Sequence, residues 1–245
     1  MKGKNGLNKD WDAARKYFLE AFPKIKKQAE EGEKYSQYYL GYYYDKLGSF
    51  IDDESLIDPL GDKDKILPWY TKAAEQGVAE AQYELGSMYW MSTDFTNRDP
   101  DKAFFWFKQA AEQGHAEAQN ALARCYENGD GGALDECAAV AWFTKAAEQG
   151  SPGAQMNLGR CYEEGAGTEK DYGKAFYWFN KAVEGGEPYA LEYLGECYEK
   201  GLGVEKDLEK AVEVYTQATK RCAAEFSRTA LRRVKRKLKK ESEQV

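Results

Sequence analysis

The chain has 245 residues, a formal net charge of −7 and 14% aromatic side chains. Aromatic content at that level excludes a disordered chain, because the side chains that build a core are abundant. Residues 220–240 hold ten Lys/Arg against the single Glu225, a local +9, so the remainder sums to −16; an acidic body with one basic end excludes an overall nucleic-acid binder.

In chain order, residues 1–32 are expected to give a leading helix and half a repeat. No apolar stretch follows the basic start, so no signal peptide is expected there. No run further on approaches the roughly 20 apolar residues of a membrane helix. From residue 33 a phrase recurs. Trp69, Trp106, Trp142 and Trp178 keep a beat of 36 or 37 residues, and Val214 falls on the next. Each belongs to a segment such as Ala103-Phe104-Phe105-Trp106-Phe107-Lys108-Gln109-Ala110-Ala111-Glu112-Gln113-Gly114. A second phrase keeps the same beat: Leu40-Gly41, Leu85-Gly86, Leu122-Ala123, Leu158-Gly159 and Leu194-Gly195, each followed by Tyr44, Tyr89, Tyr126, Tyr162 and Tyr198. Self-similarity of this period is the signature of a helical repeat array.

Ala103, Trp106, Phe107 and Ala110 fall at i, i+3, i+4 and i+7, one stripe of a helix; Ala81, Leu85, Met88 and Tyr89 make the matching stripe on the helix before it. Asp62, Asp99, Asp135, Asp171 and Asp207 stand where N-caps are wanted. Gly165-Ala166-Gly167 and Gly201-Leu202-Gly203 stand where helices end with positive φ. Small residues such as Gly86 and Ala103 are expected to let paired helices approach, with Trp106 and Tyr89 filling the space beside them. Helix pairs are therefore predicted over 33–77, 78–114, 115–150, 151–186 and 187–221, in one continuous domain. Residues 222–245 are predicted to cap the stack, with Phe226, Ala230, Val234 and Leu238 inward and lysines and arginines outward.

The phrase Ala-x-x-x-Leu-Gly-x-x-Tyr…Gly-x-Gly-Val-x-x-Asp…Lys-Ala-x-x-Trp resembles the Sel-1-like repeat family, relatives of the tetratricopeptide repeats. Gly201-Leu202-Gly203-Val204-Glu205-Lys206-Asp207 follows the family loop as written. The resemblance implies an all-α, right-handed α/α superhelical repeat solenoid whose first helices line a concave surface, and a role as scaffold or adaptor. Two departures stand out. The first repeat is longer, with extra residues around Gly48 to Gly61. Pro23 and Pro68 occupy a helical position where a proline should kink the helix or delay its start. The secreted branch of the family bridges its helix pairs with disulfides. Here no cysteines form a C-x-x-C pair, and Cys125, Cys161 and Cys197 lie one per repeat on parallel helices. Packed helices are roughly 8–10 Å apart, beyond the ~7 Å limit for bridging, so they read as small buried hydrophobes. A reduced, cytoplasmic protein is the expectation; a chain whose leader had been removed would instead be secreted or periplasmic.

With His115 as the only histidine, no zinc cluster or Ser-His-Asp triad can be assembled. His115 reads as a turn residue. Asp52, Asp53, Glu54, Asp58, Asp62 and Asp64 lack the spacing of a calcium loop and read as a solvated acidic segment. The in-register Trp and Tyr series reads as core. No cofactor or metal is expected, and a monomer is. If the tetratricopeptide geometry holds, the positions two and five residues either side of the repeat Leu face the concave side. These give Tyr35, Tyr38, Tyr42, Glu80, Tyr83, Ser87, Trp90, Asn120, Arg124, Arg160 and Glu196 as a partner-binding groove. Its first half is aromatic, the residue type enriched at binding hot spots. The competing reading is that Tyr38 and Tyr42 pack under the long first loop. A protein or peptide partner, with no catalysis, is the leading functional expectation. The alternatives are a hydrolase of the β-lactamase-like kind credited to secreted relatives, or membrane or nucleic-acid docking through the basic C-terminal helix.

Overall fold

The computed structural model describes residues 17, 20–47, 63–91, 98–221 and 225–242. Among these, every regular element is a helix. The chain forms two compact units, Met1–Gln113 and Gly114–Val245.

The first unit contains α1 (20–30), α2 (Lys34–Tyr42, continued by a π-turn at Tyr43–Leu47), α3 (Lys63–Glu75), α4 (Ala79–Trp90) and α5 (Pro100–Glu112). The second contains α6 (Ala116–Asn128), α7 (Glu136–Glu148), α8 (Pro152–Glu164), α9 (Tyr172–Glu184), α10 (Ala190–Lys200), α11 (Leu208–Arg221) and α12 (Glu225–Ser242). Consecutive helices pack: α2 on α3, α4 on α5, α6 on α7, α8 on α9 and α10 on α11. This is an all-α repeat solenoid built of helix pairs.

The punctuation follows the sequence. Asp99, Asp135, Asp171 and Asp207 each accept a hydrogen bond from the backbone N–H three residues on, at 2.9–3.0 Å. Asp62 lies outside the described residues. Gly201 and Gly203 take φ of +74° and +71°, a region costly for any residue with a Cβ. Close approach also follows the glycines: a Cβ on Gly86 would lie 2.7 Å from the Phe107 ring, and one on Gly159 2.6 Å from Phe179.

These contacts correct the expectation that the tryptophans fill the interior. Phe107, Phe143, Phe179, Tyr70 and Tyr215, one residue after the repeat's Trp or Val, are the buried rings, while Trp106, Trp142 and Trp178 are only partly covered. One residue is about 100° of helix rotation, which moves the indole from the centre of the stripe to its flank. There Lys145 Nζ sits 3.8 Å from the Trp142 ring and Lys72 Nζ 4.4 Å from Trp69. Nor does Pro68 delay its helix: α3 starts at Lys63 and runs through it. The ring is on the exposed side, where water can satisfy the carbonyl it strands. Cys125, Cys161 and Cys197 are buried free thiols.

A polar ladder runs through the core. Gln37 and Gln82 sit on the buried stripes of α2 and α4, and Gln119 and Gln155 on those of α6 and α8. Gln76 Nε2 donates to Gln37 Oε1, Gln113 Nε2 to Gln82 Oε1 and Gln149 Nε2 to Gln119 Oε1, each at 2.7 Å. Gln37, Gln82 and Gln155 donate in turn to the carbonyls of Ala29, Ala74 and Ala147 at 3.0–3.1 Å. Each amide thereby satisfies a helix end that burial would otherwise strand. In the fourth pair Gly185 stands where the donating Gln should be, and Gln155 Oε1 has no partner among the described residues. A Cβ on Gly185 would meet the Pro152 ring at 2.8 Å, so the proline and the glycine go together.

α12 covers α11 as expected of a cap, with Phe226 the one residue of the expected inward face that is not turned in. Ala230, Val234 and Ser227 are buried and Leu231 and Leu238 partly so, against Leu208, Ala211 and Tyr215; Phe226 is 51% exposed. Residues four apart drift about 40° around a helix. Phe226, twelve residues before Leu238, therefore lies a third of a turn away.

Candidate protein-interaction site

In the first unit the expected site residues lie on α2 and α4. Tyr35 is 49% exposed, with Lys34 Nζ 5.1 Å from its ring centre. Tyr38 and Tyr42 are half-buried and join the cluster of Ile66, Tyr70 and Leu85; the Tyr38 ring lies 6.1 Å from both Tyr42 and Tyr70. Burial, with Glu84 and Glu80 nearby, pushes the Tyr38 hydroxyl up to about 12. Tyr83 rests 6.0 Å from Phe107, and Trp90 6.4 Å from it, with the Arg98 guanidinium 5.1 Å from the indole. The expectation that these aromatics are free of core duty is thereby corrected. Gly41 and Gly86 bring Tyr70 and Phe107 so close that the rings flanking each glycine rest on them. Glu80 is exposed and Ser87 half-buried. The long first loop, residues 48–62, lies outside the described residues, and with it most of the acidic segment.

In the second unit Asn120, Arg124 and Arg160 are brought together. With Glu117, Met156 and Glu187 they line an open cleft of ≈ 590 Å³. Asn157 Nδ2 reaches from α8 to donate to Asn120 Oδ1 of α6 at 3.0 Å. The two arginines also line a recess of ≈ 400 Å³ with Glu127, Glu136 and Glu164. Arg160 stands 3.7 Å from Glu127 and 3.9 Å from Glu164. Those distances give Coulomb attraction but exceed hydrogen-bond length, so its donors can still take acceptors from outside. Amide, guanidinium and carboxylate groups on one open face can bond a peptide backbone and charged side chains.

Glu196, the remaining candidate, is bonded to Lys200 and is not among the residues lining these two clefts. Side chains of its helix, α10, are instead tied to α12. Ser227 Oγ donates to Glu192. Glu199, 3% exposed, accepts from Arg233 Nε at 2.9 Å, Arg233 Nη2 at 2.6 Å, Lys237 Nζ at 2.8 Å and the Tyr215 hydroxyl at 3.2 Å. Burial pushes the Glu199 carboxyl up, but the bonds from Arg233 and Lys237 outweigh it and hold it below the ordinary carboxylate range. The expectation that every basic side chain of this helix faces outward is corrected for these two.

No acid–base or nucleophile constellation emerges among the described residues. His115 is the N-cap of α6, its Nδ1 accepting from the Ala118 N–H at 3.1 Å. Burial pushes the thiols of Cys125, Cys161 and Cys197 up to about 12, leaving them protonated and unreactive near neutrality. No group of three His, Cys, Asp or Glu among the described residues could hold a metal ion, and no described helix is long and apolar enough to cross a membrane.

The Sel1 repeat pattern matches residues 34–48, 69–78, 79–115, 116–151, 152–187 and 188–221. The chain belongs to the Sel1 repeat family. The first two matched segments are the halves of the long first repeat. Among solved structures, a protective antigen of uropathogenic Escherichia coli displaying the Sel1-like fold is 33% identical, with a TM-score of 0.72 over 85% of this chain. This chain spans 42% of that antigen's length. A Sel1 repeat protein of Oxalobacter formigenes is 28% identical, with a TM-score of 0.74 over 89% of this chain and 83% of that one. A putative Sel1 repeat protein of Klebsiella pneumoniae is 26% identical, with a TM-score of 0.53, covering 86% and 98%. A comparison with curated proteins gives no match. The Sel1 repeat is in general a protein-interaction fold.

Proposed function

We propose that this Sel1 repeat protein is a non-catalytic binding module that holds a protein or peptide partner on the first helices of its pairs. One observation carries the reading. The Ala-Leu-Tyr stripe turns one side of each first helix into the stack, and the opposite side of α6 and α8 stays accessible, opening into the cleft between Asn120, Arg124, Met156 and Arg160. Repeat proteins gain specificity by varying such accessible positions while keeping the stripe fixed.

The residues bet on are Tyr35, Tyr83 and Trp90 in the first unit and Asn120, Arg124 and Arg160 in the second. The test is capture of partner from a lysate of the source organism by the intact chain and by an Arg124→Ala/Arg160→Ala variant, with melting followed in parallel. A captured species that disappears with the variant, at unchanged melting temperature, supports the proposal. Capture unaltered by this variant and by Tyr35→Ala/Trp90→Ala sinks it.

A further inference from the structure

We infer that the outer face of α12 is an electrostatic docking surface for an anionic lipid bilayer. Between Phe226 and Lys240 the helix has eight Lys/Arg and no acidic residue. Arg233 and Lys237 turn to Glu199. The other six, Arg228, Arg232, Lys235, Arg236, Lys239 and Lys240, are exposed. Arg228, Arg232, Lys235, Arg236 and Lys239 fall at i, i+4, i+7, i+8 and i+11, a single row down one side of the helix. The span from Arg228 to Lys240 is about 18 Å at 1.5 Å per residue.

A capping helix needs a polar outer face, but it does not need one sign of charge. The outward faces of other helices in this unit mix signs: Glu209, Lys210, Glu213 and Lys220 on α11, and Glu136, Lys145 and Glu148 on α7. Arg228 is paired with Glu225 of the first turn at 3.4 Å; from Arg232 to Lys240 no acidic residue intervenes, and like charges so gathered repel one another and destabilise the fold that carries them. An opposing negative surface relieves that cost.

Geometry favours a plane over a polymer. The row lies on the outward side of a helix whose apolar face is already committed to Leu208, Ala211 and Tyr215, so it forms a ridge and not a channel. A straight row of this kind meets a flat bilayer along its length. Clusters of this size on a helix are attracted to acidic lipid headgroups. Because the apolar face stays in the protein, the attachment is peripheral and reversed by salt.

The test is co-sedimentation of the full chain with vesicles of phosphatidylcholine alone and with 30% phosphatidylserine, at low and at near-physiological salt. Binding is expected only to the anionic vesicles and to fall as salt rises. Arg232→Glu/Arg236→Glu should weaken it by more than about tenfold while the melting temperature does not fall, since neither side chain touches the Glu199 cluster. Absence of anionic-vesicle binding, or binding indifferent to the charge reversal, overturns the inference. Duplex DNA or RNA bound more tightly than the vesicles at equal salt also overturns it, in favour of a nucleic-acid surface.

Discussion

The two units present the same repeat with different surfaces on their first helices. In the first, α2 and α4 offer Tyr35, Tyr38, Tyr42, Tyr83 and Trp90, most of which lean on Tyr70 or Phe107 of the second helix in their own pair. In the second, α6 and α8 offer Asn120, Arg124 and Arg160 around an open cleft, and α10 is tied to α12 through Glu199. The buried stripe is shared and the accessible side is not. Most aromatic surface residues here also serve the core, so changing them disturbs binding and stability together. A polar one can be changed with the fold left alone.

The largest expected effect falls where α12 closes the second unit. Replacing Arg233 and Lys237 with alanine leaves the buried Glu199 carboxylate with only the Tyr215 hydroxyl, at a cost of about 3 kcal/mol or more. Adding Glu199→Gln to that double variant should recover part of the loss in chemical denaturation. If the double variant is as stable as the parent, Glu199 does not fasten this helix. The same cluster sets a pH dependence. The Glu199 carboxyl is held below its ordinary value of 4.5, so its contribution is fully present above that value and is lost as pH falls through the lowered one. Stability measured against pH should therefore fall less steeply in acid for Glu199→Gln than for the parent.

The aromatic face gives the next effect in size. Tyr38→Ala removes a half-buried ring from the Tyr70 cluster and should cost about 1–2 kcal/mol, whereas Tyr35→Ala, Arg124→Ala and Arg160→Ala should each stay within about 0.5 kcal/mol. Equal costs for Tyr38→Ala and the two arginine variants would erase the contrast between the units.

A smaller effect probes the glutamine ladder. Gly185→Gln alone should destabilise, because its side chain meets Pro152. Combined with Pro152→Ala, the residue type that Ala79 and Ala116 supply in the second and third pairs, it should satisfy Gln155 Oε1 and gain about 1 kcal/mol. No gain in the double variant would mean that the ladder is not a source of stability. The smallest effect is none: EDTA and a reducing agent should leave thermal unfolding unchanged, since the described cysteines are free and no described cluster could hold a metal.

Much of this architecture was legible in the sequence, because a helical stripe repeated at 36 residues leaves few ways to fold. The Asp caps and paired glycines placed the helix boundaries without any tertiary information. The deepest ring in each pair was misread, since Trp106 and Phe107 both satisfy a helical stripe and only packing decides which sits at its centre. The glutamine ladder was also readable: Gln37, Gln82, Gln119 and Gln155 recur three residues before the repeat Leu, on a side otherwise apolar. A polar residue recurring on a buried side is a hydrogen-bond signal. The Glu199 cluster could not be read, because it joins residues 34 and 38 positions apart and depends on how α12 lies across α11. Of the candidate site, the gathering of Asn120, Arg124 and Arg160 followed from register alone. The half-burial of Tyr38 and Tyr42 depended on how far Tyr70 enters beside Gly41, which no pattern in the sequence states.

The claim that partners are held on the first helices is tested most directly by hydrogen–deuterium exchange of the chain with and without a captured partner. The account predicts partner-dependent protection concentrated in α6 and α8, on the turns bearing Asn120, Arg124 and Arg160, and in α2 and α4 around Tyr35 and Tyr83. Protection confined to the outward turns of α7 and α9, with the first helices unchanged, would contradict it.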